Sequence, residues 1–124
     1  MKHYLTALVL VGGLAAAQAN AGCNYPSKPG KFPDGNSASK DEMIATKKVV
    51  TQYTEDMKVY LDCLDKEAAD KLAGMEKATD KEKADVQKKA DQKHDAAVTE
   101  MMGVTDGFNE QLRAWKAKNP PKTS

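Results

Sequence analysis

Few residues in this chain could do chemistry, and the two cysteines, Cys23 and Cys63, come first among them. A cysteine pair can bond to itself, hold a soft metal ion or cycle in a redox reaction. A metal site would need further ligands. Outside the first few residues the chain has one histidine, His94, and no Cys-x-x-Cys. Redox cycling would need a neighbour that depresses a thiol pKa, and neither cysteine is flanked by one. A structural disulfide is the expected state, and only one intramolecular pairing exists. The bond would close a loop of about 40 residues, which the chain-entropy model values at roughly 4 kcal/mol. A competing use of Cys23 is as the lipid-bearing first residue of a lipoprotein. Asn20 stands where that signal wants a leucine-like residue, and lipidation would leave Cys63 a free thiol.

The remaining candidates read as surface or core. His94 lies between Lys93 and Asp95 in a charged run, an exposed helical histidine with no nucleophile beside it. Glu55, Asp56, Asp62 and Asp65 sit at helical spacing beside lysines, as on a solvated helix face. Met43, Met57, Met75 and Met101 fall on an apolar stripe and fill a core in preference to binding copper, while Met102 falls off it. No Gly-rich phosphate loop, calcium loop or His-Glu-x-x-His occurs. No catalytic, cofactor-binding or metal-binding residue is assigned, and the expectation is a protein that is not an enzyme.

The chain opens as a secretory signal peptide does. Lys2 and His3 precede an apolar run from Tyr4 to Ala17, followed by the small-residue pattern Ala17-Gln18-Ala19. Residues 1–19 are the expected leader, with cleavage after Ala19 or Ala21. The run is short of the roughly 20 residues a membrane-spanning helix needs. The full chain has 19 basic and 18 acidic residues, and losing Lys2 brings the two into balance. A balanced chain argues against nucleic acid and against a polybasic membrane patch, both of which need a basic excess. The expected location is periplasmic or secreted.

These residues must be positioned by helices. Val50, Tyr53, Met57, Tyr60 and Leu64 recur at intervals of three and four, one face of a helix predicted over 39–75. Ser39 with Glu42 fits a capping box at its start, and Thr79 with Glu82 fits another before a second helix over 80–117. Gly103 and Gly107 each cost about 1 kcal/mol relative to alanine in a helix, so a kink or break is expected there. Residues 118–124 are expected to be a disordered tail. Folded antiparallel about 75–79, the stripes meet: Met57 near Ala97, Tyr53 near Met101, Val50 near Val104, Met43 near Leu112. Around Leu64 to Val86 the interface is thinly apolar.

Residues 20–38 read as an extended, Pro-rich segment, with Pro26, Pro29, Pro33 and a turn at Pro33-Asp34-Gly35-Asn36. About 16 residues of polyproline II reach roughly 50 Å, whereas Ser39 to Cys63 on a helix covers about 36 Å. The segment can therefore double back and bring Cys23 to Cys63. The pattern Cys23-x-x-Pro26-x-x-Pro29, Pro33-Asp34-Gly35, Ala38, Met43 and Tyr60-Leu61-x-Cys63-Leu64 resembles a group of small exported proteobacterial proteins. The resemblance supports pairing the two cysteines and carries no catalytic residue with it.

The expected architecture is all-α, an antiparallel two-helix hairpin with the Pro-rich segment tethered back by a disulfide. The expected function is protein–protein interaction or self-association in the cell envelope, with a chaperone-like or stress-protective role as the alternative. The contact surface is placed at the open end of the hairpin, on Tyr25, Phe32, Phe108, Leu112 and Trp115.

Overall fold

A computed structural model describes residues 22–123 of the chain. The leader assigned to residues 1–19 and both cleavage points lie outside these residues. The described chain contains two helices, α1 from Lys40 to Ala73 and α2 from Asp80 to Lys118, packed against each other as a hairpin. Both begin at the boxes the sequence marks. Ser39 Oγ accepts from the Glu42 N–H at 3.2 Å, and Glu42 Oε2 accepts from the Ser39 N–H at 2.7 Å. Thr79 and Glu82 repeat the arrangement. Each box satisfies two backbone N–H groups that the first helical turn leaves without partners. It also draws both glutamate pKa values below the ordinary range, chiefly through the backbone N–H of the cap residue.

The helix ends differ slightly from expectation. α1 stops at Ala73, two residues early, because the Gly74 N–H closes on the Asp70 carbonyl and the chain turns through Met75 to Ala78. α2 continues one residue further, to Lys118, before Pro120 and Pro121 forbid more helix. The break anticipated at Gly103 and Gly107 does not occur, and α2 runs unbroken for 39 residues. Packing outweighs the propensity cost, since Val104 and Phe108 on the same stretch are buried against α1. Gly107 has a positive reason to be glycine. A Cβ there would come within 3.3 Å of the Phe32 ring. Gly103 has none, facing open space.

The core is a single seam. Met43, Val50, Tyr53, Met57, Tyr60 and Leu64 of α1 meet Ala97, Val104 and Phe108 of α2, with Met57 fully buried. Residues 23–38 form a third layer, a strap lying over one face of the interhelical groove. Cys23 is bonded to Cys63, with Cα atoms 5.7 Å apart. At the other end the Asp34 carboxylate accepts from the Asn36 N–H at 2.9 Å, and the Asp34 carbonyl accepts from the Ala38 N–H at 2.8 Å. This turn delivers the chain into the N-cap of α1. Gly35 is buried against α2, where any Cβ would overlap the backbone carbonyl of Gln111.

Replacing both cysteines with serine is expected to keep the helical circular dichroism and to lower the unfolding free energy by about 4 kcal/mol, read from urea denaturation. An unchanged urea midpoint would mean that the strap is held by its packing alone. The glycines divide in the same assay. Gly103→Ala should stabilise by up to about 1 kcal/mol, and Gly35→Ala should destabilise by about 1–3 kcal/mol through overpacking.

Candidate interaction surface

The strap is held at three levels, the upper two on α2 and the lowest on α1. At the open end the Trp115 indole N–H donates to the Ala38 carbonyl at 3.1 Å, and the Gly35 N–H donates to Gln111 Oε1 at 2.9 Å. One level down, Phe32 packs edge-to-face on Phe108 with ring centroids 6.1 Å apart. Lowest, beside the disulfide, Tyr25 meets Tyr60 edge-to-face at 4.9 Å. Edge-to-face aromatic pairs of this kind add about 0.5–1.5 kcal/mol beyond their burial.

Of the five residues assigned to a contact surface, the structure therefore brings four together and separates the fifth. Phe32, Phe108, Leu112 and Trp115 pack in or against the hydrophobic core near the open end, and Phe108 is only 6 % exposed. Their apolar surface is turned inward, onto the strap and the seam. Tyr25 lies near mid-hairpin and is 47 % exposed. Helical periodicity identifies the apolar face of α2 but does not say that the chain's own N-terminal segment covers it.

Sequence reasoning missed a polar node that joins the two helices near Tyr25. Glu100 of α2 accepts a hydrogen bond from the Tyr53 hydroxyl at 2.7 Å. A signal existed, because the antiparallel register sets Tyr53 opposite Met101, the next residue along. Burial, then the hydrogen bond to Glu100, pushes the Tyr53 phenol well above its ordinary value. Tyr25 is also raised, first by desolvation and then by the charge of Glu100.

The cysteines, His94 and the carboxylates do not converge. Cys23 and Cys63 are disulfide-bonded. His94 lines a shallow hollow on the face opposite the strap, with Asp65, Leu72, Gln87 and Asp91. Glu55, Asp56, Asp62 and Asp65 are exposed along α1. Among the described residues no group of three His, Cys, Asp or Glu side chains is arranged to hold a metal ion.

What the described residues leave uncovered is the lower part of the strapped groove. Below the disulfide the same face continues as an open trough of about 410 Å³. Leu64, Ala68, Val86 and Ala90 line it together with Lys71, Lys89 and Lys93, and Glu67 is its one carboxylate. Helical spacing shows that this is the strap's own track. On α2, Gln111, Gly107, Glu100, Ala96, Lys93 and Lys89 follow one another at three, four or seven residues. Tyr60, Cys63, Glu67 and Lys71 do so on α1. No helix among the described residues is long and apolar enough to cross a membrane. Comparison with protein-family models, curated proteins and solved structures finds no match in any of the three.

The tyrosine node gives a pH prediction. The folded pKa of Tyr53 lies above its ordinary value of 10.0. Its contribution to stability is thus complete below pH 10 and is lost as pH rises, because the unfolded chain ionises first. In an alkaline titration followed by tyrosinate absorbance, Tyr53 should ionise only as the helices melt. Tyr53→Phe should remove that late step and make the alkaline loss of stability shallower. Ionisation of Tyr53 near pH 10 with the helices intact would contradict the buried hydrogen bond to Glu100.

Proposed function

We propose that the protein is a non-enzymatic component of the bacterial cell envelope, exported to the periplasm or secreted, that works by binding another polypeptide along the open part of its interhelical groove. The single observation that carries this reading is the unequal cover of one continuous groove. From Ala38 to Cys23 the groove is filled by the chain's own extended segment, and beyond Cys23 no described residue covers it. A surface that already receives an extended chain over most of its length is a natural receptor for another.

The leader-like N-terminus and the disulfide support the location, since such bonds persist in oxidising compartments. The open end is not the proposed contact, because Phe32, Phe108 and Trp115 are engaged with the strap and the seam. The chaperone-like alternative wants a broad apolar surface. The large exposed apolar side chains, Tyr25, Ile44, Val49, Val59 and Met102, are instead spread over several parts of the molecule.

Crosslinking in intact cells tests the proposal. A photo-reactive residue at Ala90 should capture one dominant envelope protein, and the same group at exposed Val59 should not. Capture of many unrelated exported proteins would replace this reading with the chaperone-like one. Crosslinks only between copies of the chain would replace it with a structural homo-oligomer.

A further inference from the structure

We infer that the trough below the disulfide is a site for an extended, acidic polypeptide segment, one that sets apolar side chains on the groove floor between flanking carboxylates. The inference rests on the reading of the protein as a binding module and names the chemistry of its partner. Three features of the trough select that ligand.

The first is continuity with the strap. Phe32 and Tyr25 enter the groove as side chains of an extended backbone, and the groove walls accommodate that backbone down to Cys63. The trough keeps the same two helix faces for a further stretch, from Leu64 to Lys71. That stretch is about 10 Å long on an α-helix, the reach of about three extended residues. Its floor of Leu64, Ala68, Val86 and Ala90 is aliphatic and half alanine, suited to a backbone with one or two apolar anchors.

The second is charge. Lys71 projects from α1, and Lys89 and Lys93 from α2, around a trough whose other polar lining residues are Glu67 and Gln92, with Glu67 its single opposing charge. All three lysines are exposed, and none is engaged in an ion pair among the described residues. The chain as a whole is nearly balanced, with 19 basic and 18 acidic residues, so a local excess of two positive charges around an apolar floor marks this site out. Carboxylates on the ligand would meet ammonium groups on both walls.

The third is the sequence next to the disulfide. Gly22, the first described residue, is exposed, and a Cβ on it would have nothing within 4 Å. Residues 18–22 read Gln-Ala-Asn-Ala-Gly and offer no carboxylate. No Asp or Glu precedes Cys23 in the sequence, so an acidic occupant comes from another chain.

A methyl-detected NMR titration of the full exported protein tests this with three probes. One is a synthetic peptide alternating leucine with glutamate. The second is its leucine–lysine counterpart, and the third is laurate. The acidic peptide should shift the methyl signals of Ala68, Val86 and Ala90, and raising the salt should weaken it as charge pairing is screened. Lys89→Glu combined with Lys93→Glu should weaken it at least tenfold. Both lysines are exposed, so the hairpin should survive the change, with unchanged circular dichroism as the control. Equal shifts from the acidic and basic peptides, or no shifts from the acidic one, would overturn the inference. Shifts from laurate alone would reassign the trough to an anionic amphiphile and overturn it as well. If the peptide fails while crosslinking in cells still finds one dominant partner through another surface, the inference falls and the binding-module reading stands.

Discussion

Two long helices touching along one seam cannot bury enough apolar surface to fix their own geometry, and the rest of this structure follows from that shortfall. Among the described residues nine buried side chains make the core, and only Met57 and Ala97 are fully enclosed. Small cores of this kind ordinarily need a staple. Here the staple is covalent and extended. The Cys23–Cys63 bond ties residues 23–38 over one face of the groove and turns a two-layer hairpin into a three-layer body. The bond acts partly on the unfolded chain, whose freedom it restricts. It acts partly on the folded one, where it holds Phe32 and Tyr25 against rings they would otherwise leave.

The strap also determines which special residues the helices carry. Gly107 makes room for the Phe32 ring, and buried Gly35 lets the strap backbone touch the backbone of α2. Gln111 and Trp115 turn their donors and acceptors toward the strap and not toward water. Glu100 serves the same end by a polar route. It takes the hydroxyl hydrogen of Tyr53 at a level where Tyr25 and Tyr60 would otherwise leave α1 and α2 linked only through apolar contacts. A neutral donor on a charged acceptor is worth more than an ordinary hydrogen bond. At half-buried depth it also fixes the rotation of one helix against the other.

Much of this is legible in the residues alone. The interval of three and four from Val50 to Leu64, two capping boxes and one possible cysteine pairing yield both helices, their antiparallel order and the path of the strap. What is not legible has a common cause. Helix propensity put a kink at Gly103 and Gly107, because propensity is local and the packing of Val104 and Phe108 is not. The same limit explains the open end. Phe108, Leu112 and Trp115 form an apolar face of α2, and periodicity says that such a face is covered without saying by what. The Tyr53–Glu100 bond needs the register to within one residue, finer than the stripe of apolar positions supplies.

The open trough follows from the same constraint that requires the strap. Where the helices carry Tyr60, Phe108 and Trp115, large side chains line the seam and a third layer gains from covering them. Between Leu64 and Lys71 the facing residues shrink to Ala68, Ala90 and Ala96, and a strap residue there would bury little apolar area while still losing its backbone freedom. Among the described residues the strap covers the groove only as far as Cys23. Beyond it lies a short groove with an alanine-rich floor, whose lysines are in no ion pair among the described residues. A ligand that brings its own carboxylates changes that balance, because charge-assisted contacts on both walls supplement the small hydrophobic gain of the floor. Low affinity for neutral chains and preference for acidic ones then have one physical origin, the alanine-rich lining of the groove below the disulfide.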